Sequence, residues 1–168
     1  MRTFESTPCI YLAIFLSTIF CVQYNLISRI DDASKLLKDN IIKNPKVEHQ
    51  QYWICTRLCW GKNVTEERDA PLQIVLGASH PLYCALMRMG TWLEERLSQG
   101  HKQQTQFTFG YDGYNDEDSI KNKASSAMIE VLKDPSFVVV LDGPKGTHSI
   151  QKMATQEGRK RGLSLIHI

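Results

Sequence analysis

"CIYLAIFLSTIFCV", Cys9 to Val22, is the stretch on which the fold turns. An apolar run that starts a few residues after Met1 is an export signal, a membrane segment or a helix buried in a globular core. A membrane span needs roughly 20 apolar residues, more than this run supplies. An export signal needs a basic leader and a small-residue cleavage point. Here Arg2 is opposed by Glu5, and no small-x-small pattern follows. The run therefore reads as a buried helix that ends near Arg29, in the polar turn of "SRIDDASKLLKDNI". The sequon Asn63-Val64-Thr65 would matter only on a secreted chain.

The rest of the chain can supply the core that such a helix needs. Its 168 residues are 42% hydrophobic and 23% charged, the balance of an ordinary globular domain. A formal charge of +2 is too small to argue for nucleic acid, so any basic surface must come from clustering. One cluster exists: Lys145, Lys152, Arg159, Lys160 and Arg161, opposed by Glu157. By itself a basic run is most often a solvated face. The five cysteines, Cys9, Cys21, Cys55, Cys59 and Cys84, are odd in number and scattered, which suits a reducing compartment better than a disulfide framework. Cys55 and Cys59 lack a second pair at zinc spacing, so no metal site is expected there.

"QYWICTRLCW" alternates in the period of a strand, with Tyr52, Ile54, Leu58 and Trp60 on one face and Trp53, Cys55, Arg57 and Cys59 on the other. Gly61-Lys62-Asn63 follows as a turn. Strands near Val64 and over "QIVLG" would complete a small antiparallel sheet. Leu82, Ala85, Leu86, Met89, Trp92, Leu93 and Leu97 are spaced as the core face of a helix stopped by Gly100. "HKQQTQFTFGYDGYNDED" reads as a polar connection. Ile120, Ala124, Ala127, Met128 and Val131 form a further helical stripe, opened by acidic residues and closed at Asp134-Pro135. "FVVVL", residues 137–141, suits a strand or a helix fragment equally. The fold class expected is mainly α with a small antiparallel β-sheet.

"GPKGTHSIQKMAT", Gly143 to Thr155, runs from a glycine-containing loop into a helix start, where unpaired backbone N–H groups favour an anion. It is not a Walker loop, because Lys145 precedes Gly146 instead of following the last glycine. The plainer alternative makes Thr147 an N-cap and His148 a surface residue.

Three segments in order carry a family resemblance: "GTHSIQKMAT" is similar to the H-x-x-R box of tyrosine recombinases, in particular the eukaryotic Crypton-type branch. "YNLISRIDD" is similar to their first arginine box, and "LCWGKNVTEERDAPLQIVLG" resembles their lysine-bearing hairpin. The similarity spans roughly Cys21 to Gly162. It implies an incomplete tyrosine recombinase catalytic domain over residues 1–162, acting on duplex DNA through a phosphotyrosyl intermediate with no cofactor or metal. Arg29 would clamp the phosphate, Lys62 would protonate the leaving 5′ oxygen, and His148 would hydrogen-bond the phosphate and assist proton transfer. Planar guanidinium forks suit the charge that builds on non-bridging oxygens. Lys145, Thr147, Lys152, Arg159, Lys160 and Arg161 would contact the DNA backbone. The resemblance also implies a homo-oligomer on DNA at full length, nuclear in a eukaryotic host, with neither a membrane nor a small-molecule substrate as partner.

Gln151 stands where the family places its second arginine. It keeps a donor and loses the charge and the fork, which at the cost of one oxyanion donor removes roughly 3 kcal/mol, or about a hundredfold in rate. The family also expects a nucleophilic tyrosine after Gly162. Tyr11, Tyr24, Tyr52, Tyr83, Tyr111 and Tyr114 all precede the His148 box, so the chain is expected to be inactive as it stands. "LSLIHI", residues 163–168, is similar to a translated sequencing adapter and is set apart as an artefact tail. Two rivals remain: a non-catalytic DNA-binding protein of the same fold, and a small secreted or membrane-anchored protein.

Overall fold

The computed structural model describes residues 7–42, 53–58, 70, 72–98, 105–111, 113–133 and 146–162. Among them are five α-helices and one three-stranded antiparallel sheet, so the chain is mainly helical with a small sheet.

The apolar run is α1, Thr7–Asn25. Tyr11, Phe15, Ile19 and Val22 recur on one face and are buried together with Leu16. The two hydroxyls within the run fold back onto the helix: Ser17 Oγ and Thr18 Oγ1 donate to the Ile14 carbonyl at 3.0 and 2.7 Å. No helix among the described residues is long and apolar enough to cross a membrane.

The helix stops four residues before Arg29, earlier than the apolar pattern suggests. Ser28 N–H donates to the Gln23 carbonyl at 3.0 Å, and Ile27 N–H to that of Tyr24 at 3.2 Å. This is a Schellman closure whose left-handed position, usually glycine, is Ile27 at φ +51°. A β-branched side chain there is strained by roughly 1–2 kcal/mol. The chain then enters α2, Ile30–Ser34, with Arg29 in extended backbone at its N-cap position. Arg29 N–H donates to Asp32 Oδ2 at 3.1 Å.

The sheet has the order β1 (Ile41–Ile42), β2 (Trp53–Arg57) and β3 (Leu72–Leu76). In the β2–β3 pair, Trp53 faces Leu76 and Arg57 faces Leu72. Alternation directs Thr56 and Val75 inward, and Ile54 and Leu58 pack on the core from the same side. Thus β2 and β3 lie where the sequence pattern puts them, whereas Ile41–Ile42 is a strand too short to announce itself. The expected turn at Lys62, the strand near Val64 and "FVVVL" lie outside the described residues.

The third helix, α3 (Ala85–Ser98), buries Ala85, Met89, Trp92 and Arg96. Leu86 and Leu93 lean on the core, but Leu82 and Leu97 of the expected stripe are exposed. Arg96 takes the inner position because its guanidinium lies 5.9 Å over the Trp92 ring and Nη1 donates to the Thr108 carbonyl at 3.2 Å.

Thr108 belongs to the segment read as a polar connection, and here the structure corrects the sequence. Thr105, Thr108, Phe109 and Tyr111 are buried. Thr108 N–H donates to the Leu36 carbonyl at 2.7 Å, and Lys38 N–H to that of Gln106 at 3.0 Å. Phe107-Thr108-Phe109-Gly110-Tyr111 places an aromatic ring at every second residue, a strand-like signal masked by its polar flanks. Rings of Tyr11, Phe15, Trp92 and Tyr111 meet at centroid distances between 5.1 and 5.8 Å. Burial among them pushes the Tyr111 hydroxyl well above the ordinary tyrosine range.

Asp116 caps α4, Glu117–Leu132, its Oδ1 accepting from Ser119 N–H at 2.9 Å. Ile120 and Ala124 are buried, but the expected stripe fades outward, with Val131 exposed. The last helix, α5, is Thr147–Lys160.

Candidate phosphate-binding site

Gly146, not Thr147, occupies the N-cap position of α5. Its N–H donates to Ser149 Oγ at 3.2 Å and its carbonyl accepts from Ser149 N–H at 2.9 Å. Thr147 is the first helical residue. Lys145, Lys62 and the Thr147 side chain lie outside the described residues.

α5 sorts its residues by face. Ala154 and Gly158 are buried and Gln151 and Thr155 half-buried, while His148, Lys152, Arg159 and Lys160 are exposed. The small side chains of Ala154 and Gly158 suit the close approach of α5 to α1. At 3.6 residues per turn, positions 148, 152 and 159 fall within about 40° of one another, so His148, Lys152 and Arg159 form one outward stripe. Arg161 is exposed but held to Glu157, Nε to Oε1 2.9 Å, which leaves it less available than its neighbours.

The link between the distant boxes is a single hydrogen bond. Gln151 Nε2 donates to the Ile27 carbonyl at 3.3 Å, across 124 residues of sequence. Ile27 is the strained left-handed residue, and Arg29 is two residues further on. His148 is one turn before Gln151 on an adjoining face. The structure thus brings the start of α5 to the turn that presents Arg29. Among the described residues, the Arg29 and His148 side chains are exposed and make no hydrogen bond or ion pair.

Ser28, between the clamped carbonyl and Arg29, is buried and its Oγ has no partner among the described residues. Neither Ile27 nor Ser28 could be picked out from sequence. A left-handed isoleucine contradicts its own propensity, and a serine beside an arginine carries no signal.

In chemical terms, the site is a helix start with a histidine and a lysine on its outward face, and an arginine on the adjoining turn. Such a set suits an anion held by charge-assisted hydrogen bonds. Among the described residues no three His, Cys, Asp or Glu side chains gather as a metal site. Comparison of the chain with protein-family models, curated proteins and solved structures found no match.

Proposed function

We propose that this chain binds duplex DNA through a catalytic domain of the tyrosine recombinase type. The observation that supports the reading is the Gln151–Ile27 hydrogen bond, which joins two of the three segments that carry the family resemblance. On this reading Arg29 and His148 take the non-bridging oxygens of one phosphate. Lys62 serves the leaving 5′ oxygen. Lys152, Arg159 and Lys160 hold neighbouring phosphates, with Lys145 and Thr147 at the helix start and Arg161 a weaker contributor. The family reaction joins DNA to a tyrosine oxygen by displacing that 5′ oxygen, and needs no metal or cofactor. A nuclear location and assembly on DNA as a homo-oligomer belong to the same proposal.

A second reading, a non-catalytic DNA-binding protein of the same fold, is favoured by one observation. The Gln151 amide donates to a backbone carbonyl of its own chain, a bond that holds the turn instead of neutralising a transition state.

Titration of a labelled duplex at several salt concentrations tests the shared part of both readings. Affinity should fall steeply as salt rises, and alanine at Lys152, Arg159 or Lys160 should each reduce the slope by about 1. Salt-independent binding, or none, would overturn the proposal. Gln151→Arg should tighten duplex binding, since arginine can keep a donor and restores a charge. A phosphotyrosyl adduct on a suicide duplex, formed by the chain extended along its gene, separates the enzyme from the binder.

A further inference from the structure

Two cysteines outside the proposed DNA site lie near one another where α1 passes the start of α3. Cys84 immediately precedes α3 and caps it: Met87 N–H donates to Cys84 Sγ at 3.5 Å, and Arg88 N–H to the Cys84 carbonyl at 3.0 Å. Cys21, on α1, donates from Sγ to the carbonyl of Tyr83 at 3.4 Å, one peptide bond from Cys84. Both thiols are free.

The two thiols sit in different environments. Burial pushes the Cys84 thiol up, but backbone hydrogen bonds from Met87, Ala78 and Leu86 outweigh it and leave the group below the ordinary thiol value. Cys21 is held above that value, chiefly by burial, with Arg88 pulling down and Cys84 pushing up. The thiolate is the nucleophilic form of cysteine, so the thiol held lower, Cys84, is the better placed to attack first.

Cys84 also lines a cleft of about 580 Å³ with Gly77, Ala78, Ser79, Leu86 and Met87. Apart from the Ser79 hydroxyl and backbone groups, this lining is apolar.

We propose that Cys84 and Cys21 form a hydroperoxide-reactive thiol pair, with Cys84 the attacking sulfur, Cys21 the resolving sulfur, and the cleft seating the alkyl group of an organic hydroperoxide. The Cys84 thiolate attacks the terminal peroxide oxygen. The O–O bond breaks, the alkoxide takes a proton from water and leaves as an alcohol, and Cys84 becomes a sulfenic acid. The Cys21 sulfur then attacks Cys84; the S–S bond forms, the S–O bond breaks, and the hydroxyl leaves with the Cys21 proton as water. One hydroperoxide is reduced and two thiols are oxidised. The product ties α1 to the start of α3 by a bond between residues 63 positions apart.

The test treats the full chain with cumene hydroperoxide or hydrogen peroxide and follows free thiols, intact mass and mapped peptides. The expected result is the loss of two thiols, a disulfide-linked peptide pair containing Cys21 and Cys84, and a rate at least about tenfold higher with the organic peroxide. Cys21→Ser should stop at a sulfenic acid on Cys84 that dimedone traps. Cys84→Ser, which keeps a capping oxygen, should lose the reaction at both positions. A second measurement needs no variant: brief alkylation of the native chain with iodoacetamide should label Cys84 before the other cysteines. A disulfide between other cysteines, unchanged oxidation in Cys84→Ser, equal rates with the two peroxides, or Cys84 labelled last would each overturn the proposal.

Discussion

The aromatic centre and the junction of α5 with the α1–α2 turn are built by opposite means. At the centre, Trp92, Phe15 and Phe109 have no exposed surface, and four rings contact one another. At the junction a half-buried glutamine, two small residues and a strained isoleucine carry the contact. The first region holds the fold together through area removed from water. The second sets the placement of exposed cations and adds little to global stability. Substitutions should therefore divide into those that unfold the chain and those that alter the candidate site while leaving the fold intact.

The largest effect belongs to the centre. Trp92→Ala leaves a cavity and strips the Thr108 carbonyl of the 2.9 Å indole hydrogen bond, and should cost about 3–5 kcal/mol in denaturant unfolding. Gly110→Ala comes next: a Cβ there would collide with the Thr105 side chain, at a cost of about 1–3 kcal/mol. Thr105→Ser should recover part of that loss, because it removes the colliding methyl and keeps the hydroxyl that bonds Asn115 and Phe107.

At the junction the effects shrink and one changes sign. Gln151→Ala should cost about 1 kcal/mol, the net worth of one hydrogen bond, yet lower duplex affinity through the loosened Arg29 turn. Ile27→Gly should stabilise by up to about 1 kcal/mol, since relief of the left-handed strain exceeds the added chain entropy. If Trp92→Ala and Gln151→Ala cost the same, the division between the two regions fails.

The smallest effect is a pH dependence. Hydrogen bonds from the Ser119 backbone and hydroxyl hold the Asp116 carboxyl below its ordinary value. A depressed carboxylate contributes stability that is present above its unfolded value and lost as pH falls through the folded one. The α4 cap should thus weaken in acid below about pH 4, and Asp116→Asn should flatten that portion of the stability profile.

Periodicity found the strong elements. The α1 run, the β2 alternation and the α3 stripe all rest on apolar spacing, and the structure uses that spacing. It failed where a few residues act against type. Arg96, which is no part of the expected apolar stripe, is buried under an aromatic face and a carbonyl, and the 105–111 segment hides its rings among polar neighbours. The candidate site was legible as separate boxes only through the family resemblance of the segments that hold Arg29, His148 and Gln151. Their connection was not legible, because it runs through the backbone carbonyl of Ile27, which no side-chain pattern announces.

The central claim is that Arg29 and His148 serve one phosphate although they stand 119 positions apart in the chain. A double-mutant cycle on duplex affinity, with Arg29→Ala, His148→Ala and the pair at fixed salt, tests it most directly. Convergence on one phosphate predicts a coupling energy of about 1 kcal/mol or more. Losses that simply add would mean that the two side chains meet different parts of the DNA, and would contradict the account.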